Sequence, residues 1–136
     1  MNNLIKNEIK MYFVRDHIEN TFPPAFEIFL VNTSKANIYK NIKVVSSANY
    51  SSEDRVDKTD TVEKELSDLI PLNSVSVDIS DVYELDDIIS YNILFKDGQE
   101  ITHEIKCHIK GSPTGELQNV FGTELNGVEI EYTLVR

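Results

Sequence analysis

Glu100-Ile101-Thr102-His103-Glu104-Ile105-Lys106-Cys107-His108-Ile109-Lys110 is the stretch that decides the fold. Ile101, His103, Ile105, Cys107 and Ile109 fall on one side of an extended chain, and Thr102, Glu104, Lys106, His108 and Lys110 on the other. Side chains alternate across a strand but return every 3.6 residues on a helix, so this period of two marks a half-buried β-strand. Upstream, Ile89, Tyr91, Ile93 and Phe95 make a second stripe of the same period. Lys96-Asp97-Gly98-Gln99 lies between the two, and Asp-Gly is a hairpin signal because glycine tolerates positive φ. The pair therefore reads as one antiparallel hairpin.

The pattern continues outward from the hairpin. Glu8 to Arg15 places Ile9, Met11 and Phe13 on one face and Tyr12 and Val14 on the other. Pro23-Pro24 forbids regular pairing at the end of the connection 16–24. Ala25 to Thr33 is apolar on both faces, the mark of a central strand covered on both sides. Ile38 to Ser46 reads as its antiparallel neighbour, and residues 46–60, rich in Ser and Asn, as a mobile loop. Residues 61–70 are ambiguous. Val62, Leu66, Leu69 and Ile70 have helical spacing, yet the segment also alternates loosely, and its strand neighbours favour a strand. Val75, Val77 and Ile79 make a further stripe, and Ser80 to Asp87 reads as an acidic loop or one helical turn. Gly111 to Gly115 is a Gly/Pro loop. Asn126-Gly127 predicts a second hairpin turn, joining Val120–Leu125 to Val128–Val135. Many short strands with frequent turns predict an all-β, antiparallel, immunoglobulin-like β-sandwich of seven to nine strands, one domain over residues 1–136.

Charge and cysteine content narrow the partners. Thirteen Lys plus Arg stand against 23 Asp plus Glu, a net charge of −10. Such a surface repels phosphate backbones, and Lys35, Lys40 and Lys43 are too sparse to make a basic patch, so no nucleic acid is expected. No stretch approaches the ~20 apolar residues that span a bilayer, and no membrane association is expected. Cys107 is the single cysteine, which excludes an intramolecular disulfide and favours a reducing compartment. The first residues lack the apolar core of a secretory signal. The expected location is the cytoplasm.

No motif gathers a reactive group. His103, Cys107 and His108 come nearest to a metal set, but His103 and His108 face opposite ways, and His103 and Cys107 lie ~13 Å apart along the strand. A site would need His17 from elsewhere. A Cys107 nucleophile would need an exposed, electropositive pocket, whereas the thiol sits on the apolar stripe. Asp78-Ile79-Ser80-Asp81-Val82-Tyr83-Glu84-Leu85-Asp86-Asp87 offers five carboxylates for calcium, without the glycine or the spacing of an EF-hand loop. Gly111-Ser112-Pro113-Thr114-Gly115 has neither the Gly-Lys-Ser/Thr ending of a phosphate cradle nor the flanking glycines of a nucleophile elbow. Tyr12, Tyr39, Tyr50 and Tyr83 are candidates for a sugar- or peptide-binding surface, but read better as core edges and isolated rings. The sequence thus predicts no catalytic, cofactor-binding or metal-binding residue, and no cofactor. An enzyme would require a deep pocket with titratable groups in reach of one another, such as His17, His103 and an acid.

One family resemblance exists. Phe26-Glu27-Ile28-Phe29-Leu30-Val31-Asn32-Thr33-Ser34, the aromatic strand entry near Tyr39, Leu69-Ile70-Pro71-Leu72 before Val75-Ser76-Val77, the acidic link Tyr83-Glu84-Leu85-Asp86, and the strand pair Ile89–Phe95 and Ile101 onward follow one another over residues 25–110. In this order they resemble the β-rich domain that accompanies the small MutS-related (Smr) domain. The resemblance implies a sandwich fold and a non-catalytic accessory role. The Asp-Leu-His-Gly and His-Gly-x-Gly motifs of the Smr domain itself are missing from the chain, so no catalytic residue carries over. The expected function is a non-catalytic module for protein–protein contact or self-association; the alternative is a carbohydrate- or calcium-binding module.

Overall fold

Residues Ala25–Asn32 form a strand in which all eight side chains are buried, the central strand expected from its two apolar faces. Two sheets are built around such strands in a computed structural model that describes residues 3–15, 25–51, 56–58, 61–81, 85 and 88–136. A helical turn α1 (Asn3–Glu8) leads into β1 (Ile9–Arg15) and β2 (Ala25–Asn32). Then come β3 (Lys40–Ser51), β4 (Val56–Lys58), β5 (Val62–Leu66), β6 (Asn73–Asp81), β7 (Ile88–Lys96) and β8 (Thr102–Ile109). The chain closes with β9 (Leu117–Asn119), β10 (Asn126–Ile130) and β11 (Thr133–Leu134). Eight of these strands have five residues or more, within the expected seven to nine; β4, β9 and β11 are short additions.

The first sheet has the order β6-β2-β1-β10-β9, and the second β11-β8-β7-β3-β4, with β5 also on β3. All pairs are antiparallel. Ile9, Met11, Phe13, Phe26, Ile28, Leu30 and Val77 from the first sheet meet Ile42, Val44, Tyr91, Ile93, Phe95, Ile105 and Cys107 from the second in one core. Burying each such aliphatic or aromatic side chain stabilises by about 1.5–3 kcal/mol before entropy is counted.

Several expectations need correction. Residues 38–46 do not neighbour β2; they lie in the second sheet between β5 and β7, while β2 pairs with β1 and β6. Alternation shows that a segment is a strand, not which strand it joins. The loop expected over 46–60 is partly strand: β3 runs on to Ser51 and pairs with β4, while residues 52–55 and 59–60 lie outside the described residues. Residues 61–70 resolve as the strand β5 followed by a single bridge, Leu69 to Tyr39. Asn126-Gly127 is no turn. Both residues are in β10, the turn is 120–125, and the last segment splits into β10 in the first sheet and β11 in the second. Gly127 is needed there because a Cβ would come within 2.8 Å of the Phe13 carbonyl oxygen and of Val14 Cγ2. The connection 16–24 lies outside the described residues.

Two local irregularities redirect side chains. β6 slips register at Val77, so Asp78 pairs with Ile28 and turns toward the core side, where its Oδ2 accepts the Tyr91 hydroxyl at 2.7 Å. Ile79 is thereby left 55% exposed, against the simple alternation. In the β7–β8 hairpin the positive φ falls on Glu100 (63°), not on Gly98. Asp97 holds that loop: Oδ1 accepts the amides of Gln99 and Ile101 at 2.8 and 3.1 Å, and Ile101, expected inward, is 51% exposed at the turn.

The ends of the chain meet. The Tyr132 hydroxyl donates to the Ile9 carbonyl at 2.7 Å, and the Lys6 ammonium lies 4.0 Å from the Tyr132 ring centre and donates to the Tyr132 carbonyl. Among the described residues no helix is long and apolar enough to cross a membrane.

Candidate functional site

The outer face of the second sheet carries the odd-numbered residues of β3 and the even-numbered residues of β7 and β8, because Val44, Tyr91, Ile93, Ile105 and Cys107 take the inward positions. Register sets them in rows. One row runs Glu63, Val45, Asn92, Lys106 across β5, β3, β7 and β8. The next runs Ser47, Ser90, His108, with Thr61 at its β5 end. Thr61, Ser47 and Ser90 in this second row are small hydroxyl side chains, so the row sinks below its neighbours up to His108. The result is a trough of about 370 Å³ lined by Val45, Ser47, Thr61, Ser90, Asn92, Lys106 and His108. Four strands at the usual spacing give it a length of about 14 Å.

Ser90 Oγ and His108 Nδ1 are 2.8 Å apart on the floor. Among the described residues, Ser47 and Thr61 make no side-chain hydrogen bond and Lys106 has no ion-pair partner. The carboxylates nearest in register are already matched: Glu63 to Lys43 at 2.6 Å and Glu104 to Arg136 at 3.4 Å. The Lys43 ammonium is pushed up by its hydrogen bond to Glu63. Asn92 Oδ1 is buried without a partner, although an unpaired buried acceptor costs about 1–3 kcal/mol. The β8 end of the trough is therefore locally cationic on a chain that is acidic overall.

The residues singled out in the sequence are placed elsewhere. His103 is 4% exposed, and its Nε2 meets Asp97 Oδ2 at 2.8 Å, clamping the β7–β8 turn. Burial raises the Asp97 carboxyl, but the hydrogen bonds from His103, Gln99 and Ile101 outweigh it and hold the group below its ordinary value. Cys107 is buried, its thiol pushed up to about 11 by burial, with the Glu131 carbonyl at 3.4 Å. His103, Cys107 and His108 thus do not converge. Ser112 is exposed in its loop and accepts from Arg15 at 2.6 Å. Tyr12 and Tyr39 are buried. Their hydroxyls donate to Gln118 at 3.0 Å and to Glu8 at 2.5 Å, and burial, then the nearby carboxylates, raise both phenols. Tyr50 lies in β3 opposite Asp57, while Tyr83, His17 and most of the acidic stretch after Asp81 lie outside the described residues. Among the described residues no three His, Cys, Asp or Glu side chains group to hold an ion.

The Ser90–His108 pair was overlooked in the sequence although a signal existed. In a hairpin the residue numbers of partners sum to a constant, and Lys96 opposite Thr102 puts Ser90 opposite His108. The rest of the trough needs the alignment of β3 and β5, which no turn motif supplies. No protein-family model, curated protein or solved structure matches the chain.

Proposed function

We propose that the protein is a non-catalytic accessory module that works by holding a partner on the outer face of its second sheet. One observation carries this reading: Tyr12, Val14, Phe29 and Val31 on the outer face of the first sheet are covered, while among the described residues the outer face of the second carries the free hydroxyls of Ser47 and Thr61 and the unmatched ammonium of Lys106. A protein partner or a second copy of the chain is the occupant this reading favours. The resemblance to the Smr-associated domain supports an accessory role. The expected immunoglobulin-like class is supported by strand order. β6-β2-β1 follows an E-B-A sheet and β8-β7-β3-β5 a G-F-C-C′ sheet, with β9–β11 appended. That likeness is one of fold and carries no function. A cytoplasmic location belongs to the same proposal, supported by the single, buried, unpaired cysteine.

Sedimentation velocity and affinity capture from the source cell test it, on wild-type protein and on Ser47→Arg. A species heavier than the monomer, or a captured protein, is expected for wild type and lost on Ser47→Arg. A strict monomer without partner, or capture indifferent to Ser47→Arg, overturns it. The second reading, a carbohydrate-binding module, is favoured by the hydroxyl lining of the trough.

A further inference from the structure

The geometry points to a short saccharide bearing one carboxylate as the ligand of the trough, its carboxylate at Lys106 and His108 and its hydroxyls along Ser90, Ser47 and Thr61. This rests on the second reading, in which the outer face of the second sheet binds a carbohydrate, and it adds the charge and length of that ligand.

The lining selects the class. Thr61, Ser47 and Ser90 each offer a hydroxyl, which both donates and accepts, and Asn92 offers a carboxamide. The apolar contribution to the floor is Val45, and the Tyr91 ring below is 1% exposed in the core. An apolar peptide anchor has nowhere to sink, whereas a ligand dense in hydroxyls finds a partner at each step. A length of about 14 Å accommodates two to three sugar rings. The Asn92 oxygen has no partner as it stands. A half-turn of the amide exchanges its oxygen and nitrogen, so the floor can present either donor or acceptor.

Charge sets the orientation. Lys106 and His108 sit side by side on β8, two residues apart on one face, while Glu63 at the opposite end is held by Lys43. One carboxylate at the β8 end satisfies the unmatched ammonium. Beyond His108, Glu129 and Glu131 line the next depression and close that end to further negative charge. A net charge of −10 repels polyanions at long range, which restricts the ligand to a short one with a single charge.

The test is an amide NMR titration of the whole chain with glucuronosyl-glucose, with its neutral isostere cellobiose, and with acetate as a single carboxylate lacking the hydroxyl array. Glucuronosyl-glucose is expected to bind in the millimolar range and to move the amides of Ser47, Ser90, Asn92, Lys106 and His108 while leaving those of Tyr12 and Phe29 in place. Cellobiose is expected to bind more weakly at the same residues, and Lys106→Ala to weaken glucuronosyl-glucose about tenfold and abolish its advantage over cellobiose. Absence of shifts, shifts outside the trough, or equal binding of acetate overturns the assignment. If it falls while capture of a partner still depends on Ser47, the ligand class is wrong and the binding face stands. If both fail, the face itself is wrong.

Discussion

On the outer side of the first sheet, Tyr12, Val14, Phe29 and Val31 lie beneath residues 120–125, where Val120 is fully buried and Phe121 and Leu125 pack alongside. On the outer side of the second sheet, the matching positions hold Ser47, Ser90, Asn92, Lys106 and His108, and none of the described residues packs an apolar cover over them. The inner faces of the two sheets share one apolar core, so the sheets differ in what each does with its second face. The first uses it for a second small core, which makes β1 and β2 apolar on both sides. The second keeps alternation and gives its second face to polar side chains. Closing a face with apolar side chains adds to the stability of the fold; a polar face adds little.

Phe29→Ala should break this contrast most strongly. It removes a buried ring from beneath the 120–125 turn, and urea unfolding should show a loss of about 3–4 kcal/mol, whereas Ser90→Ala on the open face should stay within about 0.5 kcal/mol. Equal losses would mean that the two faces are not distinct. Gly127→Ala comes next. The added methyl meets the Phe13 carbonyl and the Val14 side chain at 2.8 Å, and thermal melting should show a destabilisation of about 1–3 kcal/mol.

Asp97→Asn tests the clamp that sets Ser90 opposite His108, with an expected loss of about 1–2 kcal/mol near neutral pH. Asp97 is held below its ordinary value, so its contribution is complete above about pH 4, the unfolded carboxylate value, and is lost as pH falls through the folded value. The difference in stability between wild type and Asp97→Asn should therefore shrink on acidification. A difference that grows there would contradict the clamp. Asn92→Val is the smallest effect and the opposite in sign: removing an unpaired buried acceptor should raise stability by about 1 kcal/mol while weakening saccharide binding.

Much of the architecture was legible because it depends on local period. The stripes of β7 and β8, and the two-sided apolarity of β2, could be read residue by residue. Pairing was not legible. Residues 38–46 have the period of a strand whether they join β2 or β7, and only the closure of the whole core decides. The slip at Val77 was hidden as well: Val75, Val77 and Ile79 alternate in sequence, but the bulge sends Asp78 inward and Ile79 out. The sealed outer face was half-visible, since apolar residues on both sides of β1 and β2 demand two covers, yet nothing marked 120–125 as one of them. Of the trough, the Ser90–His108 contact was implied by the hairpin register, whereas Ser47 and Thr61 arrive from strands far away in sequence.

The seam between the two ends has a consequence for how the chain acquires its shape. β1 takes the much later β10 as one of its two neighbours, and Tyr132 closes onto the Ile9 carbonyl across 123 residues. During synthesis β1 and β2 can pair early, but the far edge of β1 must wait for residues 126–132 to emerge. Contacts so distant along the chain make for slow maturation, and until that last hairpin docks, the first sheet carries an unfinished edge that other nascent chains can find.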